Sequence, residues 1–296
     1  MSTQLTTTRL LAVIVVFERD LDQVLAWSFL RRSLIAAADH GGATRSCGFL
    51  LDHVLIYDNS PQARAKPSEH LPNCNYVHDA GNGGTAAAYA RACALAREAG
   101  IDWLLLLDQD TTLPYGFLDA ASAALMNSTR QPCALVPWVF QSARVVSPAR
   151  LTAVGSVVPL RYEATPPVAH DLTAVSSGSL LLVPTLASLM PLPNGLWLDY
   201  VDHWIFAQLR IRQLPVAVFD ASLQHNLSVF SLESLNLSRL TSILNGEAGF
   251  ISILGIRARL VYPFRLAARV IRYAWIRPEL AMHTLAWIVH RIRRLT

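Results

Sequence analysis

The fold of this chain is decided by the stretch Trp103-Leu104-Leu105-Leu106-Leu107-Asp108-Gln109-Asp110-Thr111. Its five consecutive apolar residues are typical of a strand that is buried on both faces at the centre of a parallel sheet. Asp108 and Asp110 follow at the carboxyl end of that strand, which is the edge where open α/β sheets bind ligands. In an extended chain, side chains two residues apart project to the same side, so we expect the two carboxylates to converge.

Two converging carboxylates repel each other unless a cation lies between them. A hard divalent ion, Mg²⁺ or Mn²⁺, shared with the phosphates of a nucleotide meets that need, because such ions take oxygen ligands. The same pair of acids is also found where a strand simply ends or where the next helix is capped. The tripeptide alone supports both interpretations, and the rest of the chain has to decide between them.

Strands and helices alternate on the amino-terminal side of this stretch. The sequence predicts strands at 10–17, 53–57, 75–78 and 103–107, with helices at 21–38 and 86–99. This alternation indicates an α/β fold with a mainly parallel, Rossmann-like sheet flanked by helices.

The chain length of 296 residues allows a full core and a small additional unit. We predict a main domain at 1–235, with a nucleotide-binding half at 1–112 and a second half at 113–235. A basic helical extension follows at 236–296.

Turn-forming and glycine-rich segments follow two of the predicted strands. Asp58 ends the second strand, where its carboxylate either accepts hydrogen bonds from a nucleoside or closes an Asx-turn. The segment Gly81-Asn82-Gly83-Gly84-Thr85 precedes a helix, and glycines at that place let backbone amides approach a phosphate. The segment lacks the ending of a P-loop and the spacing of GxGxxG, so taken alone it is weak evidence.

A second group of acids lies near the predicted start of a later helix. Asp199 and Asp202 flank Tyr200 there, and His203 and Trp204 follow directly. Acids at a helix start are often only caps. Two acids, a tyrosine and a histidine between an apolar loop and an apolar helix are equally consistent with a catalytic site.

The basic residues are concentrated at the carboxyl end. The formal net charge is +4, and nine arginines fall between Arg257 and Arg294 with Glu279 as the only acid. Two amphipathic helices are predicted there. The first has an apolar stripe that includes Leu260, Phe264 and Ile271, with Arg265, Arg269 and Arg272 on the opposite face.

Residues 257–296 therefore either lie on an anionic bilayer or pack their apolar stripe against the main domain with a solvated arginine face. No nucleic-acid reader motif accompanies the charge, so we expect no nucleic-acid partner. The four cysteines show no metal or disulfide spacing, and the prolines within 172–198 break the longest uncharged run. We expect a cytoplasmic protein whose membrane contact is peripheral, on the cytoplasmic face of the inner membrane.

Seven short motifs follow one another in order over about residues 10–230. They are Val13-Ile14-Val15-Val16, Tyr57-Asp58-Asn59-Ser60, Asn82-Gly83-Gly84-Thr85-Ala86, Leu107-Asp108-Gln109-Asp110-Thr111, Ser177-Gly178-Ser179, Asp199-Tyr200-Val201-Asp202 and His225. In this order and spacing the chain resembles the family-2 glycosyltransferases, and among them the bacterial rhamnosyltransferases of cell-surface polysaccharide assembly.

The resemblance implies a GT-A fold in which 113–235 forms the acceptor half. It also implies inverting transfer of a sugar from a nucleoside-diphosphate donor. The expected donor is dTDP-rhamnose, and the expected acceptor is a glycan or a lipid-linked glycan. The resemblance further implies that Asp58 contacts the nucleoside and that Asp108 and Asp110 hold Mg²⁺ or Mn²⁺, with His225 near the metal. Asp202 matches the general base. The expected nucleotide-sugar contacts are Asp58, Asn82, Gly84, Asp108, Gln109, Ser177 and Gly178, and the expected acceptor contacts are Asp199, Tyr200, His203 and Trp204.

The chain departs from the family pattern after the base, where Trp204 and Gln208 stand in place of an acid and an arginine. Two other functions stay open on the sequence. A nucleotidyltransferase would need a glycine-rich, lysine-containing loop, which residues 10–20 lack. A catalytically silent subunit would dock on a membrane-bound partner through the basic extension.

Overall fold

The computed structural model describes residues 7–39, 48–67, 71–163, 168–224 and 235–293. Its strands are β1 (Thr7–Val16), β2 (Gly48–Asp58), β3 (Cys74–His78), β4 (Trp103–Asp108), β5 (Ala134–Gln141), β6 (Arg144–Ser147), β7 (Ala149–Leu151), β8 (Val157–Pro159), β9 (Val168–Ala169), β10 (Leu172–Thr173), β11 (Leu180–Leu182) and β12 (Val216–Gln224). Its α-helices are α1 (Leu25–Asp39), α2 (Gly84–Glu98), α3 (Phe117–Asn127), α4 (Val183–Ala187), α5 (Val201–Ile211), α6 (Leu237–Ser252), α7 (Ile256–Ile276) and α8 (Pro278–Arg293).

The main sheet has the strand order β3-β2-β1-β4-β11-β5-β12-β9, and β6 pairs with β5. Strands β3, β2, β1 and β4 are mutually parallel, and β5 is parallel to β12. Strand β11 lies antiparallel between β4 and β5, so it joins the two parallel groups. A small antiparallel sheet has the order β10-β7-β8. The predicted α/β fold with a mainly parallel sheet, flanking helices and a helical carboxyl-terminal part is confirmed.

Strand β4 is buried on both faces, as its five apolar residues predict. Trp103, Leu105 and Leu107 pack in the core shared with α1 and α3, whereas Leu104 and Leu106 pack in the core shared with α2 and α5. This alternation is the two-residue period of a strand covered by helices on either side. The only polar group of the strand is Asp108, at its carboxyl end.

Helix α6, which the sequence analysis did not separate from the basic extension, packs directly against the main body. Ser242 donates a hydrogen bond of 2.7 Å to Asp199 Oδ2, and Arg239 forms an ion pair of 2.9 Å with Asp199 Oδ1. A Cβ on Gly246 would lie 2.4 Å from the carbonyl oxygen of Asp199, so α6 approaches this loop at backbone distance.

One alternative of the sequence analysis had the apolar stripe of α7 packed on the main domain. The structure shows the opposite orientation of this helix. Leu260, Phe264 and Ile271 of its apolar stripe are 63%, 76% and 62% exposed. Arg265 and Arg269 instead face the body, where both donate hydrogen bonds. The alternative in which this stripe packs on the main domain is therefore wrong for α7. In the described ranges, no helix combines the length and the hydropathy needed to cross a bilayer.

Replacing the central leucine of β4 tests this core. Leu105→Ala should lower the free energy of unfolding by about 3 kcal/mol, because a fully buried leucine leaves both transfer energy and a cavity behind. Leu260→Ala is the matched control on the exposed face of α7, where a change within about 0.5 kcal/mol is expected. Urea denaturation measures both, and equal losses in the two variants would contradict this assignment of the core.

Candidate functional site

The candidate site begins at the edge where four parallel strands end. In the pairing register Val15 of β1 lies beside Asp108 of β4, and Val16 lies beside Asp58 of β2. Asp58 in turn lies beside His78 at the end of β3. The acids that the sequence analysis selected from two separate motifs therefore lie at one level of the sheet, at its carboxyl edge.

Strand β11 and the residues before it bring a third motif to this edge. Gly178 donates its amide to the carbonyl oxygen of Leu106 at 2.8 Å, and the Ser177 hydroxyl hydrogen-bonds to Asp108 Oδ2. Gly178 has φ +77°, and a Cβ there would lie 2.4 Å from Leu223 Cδ1. Glycine is required because the backbone is left-handed and closely packed. The structure thus brings Asp108, Ser177 and Gly178 together.

The chain turns directly after Asp108. The Thr111 amide donates to the carbonyl oxygen of Asp108 at 3.1 Å, and the Asp108 amide donates to Thr111 Oγ1 at 3.2 Å. The expectation that the chain is extended from Asp108 to Asp110 is wrong, because Asp110 lies in this turn. The Gln109 side chain accepts a hydrogen bond of 2.9 Å from the amide of Phe17, so in this structure it fastens the end of β1.

Asp58 is fully buried, and its carboxylate organises the loop after β2. It accepts hydrogen bonds of 3.0, 2.8 and 3.0 Å from the amides of Ser60, Arg64 and Ala65, and one of 2.8 Å from the Tyr76 hydroxyl. Burial alone would raise the pKa of Asp58, but these hydrogen bonds outweigh it and lower the pKa to about 2. A nucleoside contact of Asp58 stays a prediction.

The glycine-rich loop is held by side chains of the protein itself. Asp79 accepts the amides of Gly81 and Gly83 at 3.0 and 2.9 Å, and the Asn59 side chain accepts the amide of Gly84 at 3.2 Å. Several amides that the sequence analysis offered to a phosphate are therefore already bound. The sequence analysis did not select Asp79, and it did not predict that the Asn59 side chain binds the Gly84 amide.

Trp197, in the loop before α5, packs across the same glycine-rich loop. Its indole NH hydrogen-bonds to the carbonyl oxygen of Asn82, and its own carbonyl oxygen accepts the amide of Ala86 at 3.2 Å. A Cβ on Gly84 (φ +70°) would lie 2.3 Å from that carbonyl oxygen. Asn82 and Gly84 thus join the loop after β3 to the loop before α5. Their contact with a nucleotide sugar stays a prediction.

Asp199, just before α5, and Asp202, in the first turn of α5, differ in their surroundings. Asp199 is buried and held by Ser242 and Arg239 of α6. Burial raises its pKa and the nearby charge of Asp202 adds to this, whereas Arg239 and Ser242 act in the opposite direction. Asp202 lies in the first turn of α5 and is partly exposed, and its Oδ1 accepts the amide of His203 at 2.7 Å.

The remaining residues of this junction divide between surface and core. The His203 ring nitrogen Nδ1 lies 2.8 Å from Thr173 Oγ1, and the His203 ring stacks near Tyr200 and Phe250. Trp204 is 6% exposed and belongs to the core beneath α5. Of the four expected acceptor contacts, Asp199 and Trp204 are buried, whereas Tyr200 and His203 keep partial exposure.

Tyr89 of α2 is a buried tyrosine that the sequence analysis did not select. Its hydroxyl is buried and makes no hydrogen bond of regular geometry within the described part of the chain. Burial raises its pKa well above the ordinary value; the charges of Asp108 and Asp202 add to this, and the Ser176 side chain lowers it. Both carboxylates are therefore within electrostatic range of the Tyr89 hydroxyl.

The donor atoms at this edge suit a hard divalent cation. No cluster of three His, Cys, Asp or Glu side chains with metal-binding geometry occurs in the described ranges, and His225 lies outside them. Mg²⁺ is commonly held by one or two carboxylates and completes its shell with substrate phosphates and water. Asp108 and Asp110 are carboxylates of that chemical type, and their binding of a cation stays a prediction.

Comparison with known proteins identifies the fold. No protein-family model matches the sequence, and no curated protein matches it either. The chain is similar to a crystal structure of GalNAc-T7 with UDP, GalNAc and Mn²⁺, with 13% identity and a TM-score of 0.57 over 85% of this chain and 49% of that one. This chain thus spans about half the length of GalNAc-T7.

A structure of S. aureus TarS, residues 1–349, also matches, with 10% identity and a TM-score of 0.45 over 92% of this chain and 82% of that one. At 13% identity, a structural match shows the fold alone. The match to GalNAc-T7 therefore shows that the chain has the GT-A fold that the resemblance implied.

The buried carboxylate of Asp58 predicts a specific pH dependence of stability. Its folded pKa of about 2 lies below the ordinary 3.8, so it stabilises the fold above about pH 4 and loses this effect as the pH falls towards 2. The stability advantage of the parent over Asp58→Asn should shrink by about 2 kcal/mol across that window. Urea denaturation at several pH values measures it. Asp119→Asn, an exposed control, should follow the parent at each pH.

Proposed function

We propose that this chain is an inverting, metal-dependent glycosyltransferase. It would move a sugar from a nucleoside-diphosphate sugar to a hydroxyl group of a glycan or glycolipid. The observation that carries the proposal is the position of Asp108 at the carboxyl edge of the parallel sheet of a GT-A fold, where Ser177 of a separate motif orients it. Trp197, five residues before Asp202, packs across the glycine-rich loop after β3, which supports a single site to which Asp202 also contributes.

On the donor side, Asp108 and Asp110 would hold Mg²⁺ or Mn²⁺ on the diphosphate of the donor. The ion, when bound, supplies positive charge that stabilises the leaving diphosphate. The hydrogen bond from Ser177 orients Asp108, and the turn closed by Thr111 fixes the backbone between the two acids. The crystal of GalNAc-T7, which has the same fold, contains UDP and Mn²⁺ and so supports this type of donor and ion.

On the acceptor side, Asp202 would accept the proton of the attacking hydroxyl group. The acceptor oxygen forms a bond to the anomeric carbon while the bond from that carbon to the diphosphate oxygen breaks. Attack from the face opposite the diphosphate inverts the anomeric configuration, and the nucleoside diphosphate leaves with the bonding electrons. The His203 amide holds one oxygen of Asp202 at 2.7 Å, so the orientation of the carboxylate is fixed before the acceptor arrives.

The finer assignments rest on the sequence resemblance. We propose rhamnose as the sugar, dTDP as its carrier and a cell-surface polysaccharide as the product. The acceptor is then a glycan or a lipid-linked glycan on the cytoplasmic side of the inner membrane. Cys74, Cys93 and Cys133 carry free thiols, which is typical of a reducing compartment and supports that location.

Removing the proposed base tests the reaction. Asp202→Asn keeps the size and the hydrogen bond to His203 but cannot take a proton, so transfer should fall by about a hundredfold or more. Donor binding should stay nearly unchanged. Released nucleoside diphosphate, measured with Mn²⁺ and a panel of nucleotide sugars including dTDP-rhamnose, reports the transfer, and calorimetry reports the binding.

Asp119→Asn is the matched control, because Asp119 is also an acid in the first turn of a helix, α3, but is exposed elsewhere on the body. It should retain the activity of the parent. Full turnover by Asp202→Asn would refute the role of Asp202. A parent protein that neither transfers nor hydrolyses any sugar of the panel would favour the catalytically silent subunit.

Removing a proposed metal ligand should give a different defect. Asp110→Ala should weaken the binding of nucleoside diphosphate by roughly tenfold when Mn²⁺ is present, because the cation then loses one of its two carboxylates. Without Mn²⁺ the variant and the parent should bind the nucleotide with similar, low affinity. Calorimetry with and without EDTA separates the two cases, and an equal loss in both would exclude a metal role of Asp110.

A further inference from the structure

The outward face of α7 is apolar over its whole length. Ile256, Leu260, Phe264, Ile271 and Trp275 follow one another at helical spacing and are all exposed, with Trp275 at 87%. A helix of a folded domain normally turns its apolar stripe inwards. Helix α7 turns it to the outside, and no element of the described part of the chain packs over this surface.

Helix α8 extends the same kind of surface. Met282, Leu285, Val289 and Ile292 lie at helical spacing and are exposed, whereas Leu280, Ala281 and Thr284 face inwards and are buried. The two helices contact each other along their length and both contact α6. We call the exposed apolar residues of α7 and α8, together with the arginines among them, the outer helical face.

The orientation of α7 is fixed from the inside by its arginines. Arg269 forms a two-point ion pair with Glu247 of α6, with nitrogen–oxygen distances of 2.6 and 3.0 Å. Arg265 donates to the carbonyl oxygen of Val154 at 2.8 Å and to Ser156 Oγ at 2.6 Å. Rotating α7 to bury its apolar stripe would break both sets of charged hydrogen bonds. The exposure of the stripe is therefore a built feature of the fold.

The charge of the outer helical face is positive. Arg257, Arg272, Arg291 and Arg293 are exposed on the same two helices. The one acid between residues 256 and 293 is Glu279, and it is paired with Arg277 at 2.6 Å. An apolar stripe with tryptophan and phenylalanine, accompanied by arginines and nearly without acids, is the composition of helices that lie in the interface of anionic bilayers.

We propose that the outer helical face docks this protein on an anionic lipid bilayer, with α7 and α8 lying in the plane of the interface. The apolar side chains enter the boundary between headgroups and acyl chains, and the arginines contact lipid phosphates. Charge complementarity selects this occupant, because a second copy of the chain would bring the same positive face against this one. The docking itself requires no assumption about the reaction.

Docking would also place the candidate site relative to the membrane. Glu247, which binds Arg269 of α7, follows Gly246, where α6 packs at backbone distance against Asp199, three residues before Asp202. Helices α6 and α7 therefore attach the outer helical face to the junction that carries the proposed base. If the proposed function holds, this arrangement suits an acceptor carried by a membrane lipid, and only this consequence rests on that function.

Vesicle flotation with the full chain tests the docking. The protein should float with vesicles of phosphatidylcholine containing one third phosphatidylglycerol and bind pure phosphatidylcholine at least about tenfold less. Raising NaCl from about 0.1 M to about 1 M should release most of the protein, because the Debye length falls from about 10 Å to about 3 Å. Equal binding to both vesicles, or none to either, would overturn the proposal.

Variants locate the binding surface. The double variant Phe264→Asp/Trp275→Asp should lose roughly tenfold or more of the vesicle binding, because it removes aromatic anchors and adds negative charge. Ile211→Asp, at the end of α5 and 53% exposed, is the matched control and should bind like the parent. Circular dichroism and thermal melting should show all three proteins folded alike. Equal binding by the double variant and the parent would contradict the assignment of this face.

Two further measurements separate the remaining outcomes. Asp202→Asn should bind vesicles like the parent, so a failure of the glycosyltransferase proposal leaves the docking result intact. Sedimentation at several protein concentrations tests the other occupant. A dimer that disappears in Phe264→Asp/Trp275→Asp while the parent ignores anionic vesicles would assign the face to a second copy and overturn the proposal.

Discussion

The burial of β4 on both faces is the constraint on which the rest of the structure depends. A strand with leucines on both sides has no place for a polar side chain except at its ends, so Asp108 has to lie at the carboxyl edge. Parallel pairing with β1 then aligns that edge with the ends of β2 and β3. The antiparallel β11 on the other side of β4 brings Ser177 to the same carboxylate. The site is therefore a consequence of strand order and of burial.

The acids of the candidate site divide into two kinds according to the groups that already bind them. Asp58 accepts three hydrogen bonds from the loop after β2 and one from Tyr76 of β3, and Asp199 is held by Ser242 and Arg239. Such carboxylates hold backbone and helices in place, and a substrate would have to displace those partners. Asp108 and Asp202 are partly exposed and each accepts a hydrogen bond that orients it. Because they are partly exposed, Asp108 and Asp202 are the better candidates for chemistry.

The sequence predicted what depends on local pattern. The buried run of β4, the parallel order of the first four strands and the acid at the strand end all follow from hydrophobicity and spacing. The sequence analysis wrongly expected an extended backbone at Asp110. The side chain of Thr111 closes a turn there that the order of the residues alone does not reveal. Tyr89 and Trp197 were missed for another reason. Their roles arise from contacts with residues far away in the chain, and each resembles an ordinary core aromatic.

The two faces of α7 show how far a helical pattern determines packing. The apolar period was read correctly, but Arg272, predicted on the face opposite the stripe, is exposed like the stripe. A period also does not say which face turns inwards. That choice is made by partners on other elements: Glu247 on α6 pairs with Arg269, and the carbonyl oxygens at Val154 and Gly155 accept Arg265. Buried charges need such partners, since an arginine without them would be costly away from water. The face that carries Arg265 and Arg269 therefore packs on the main body, and the apolar face is exposed.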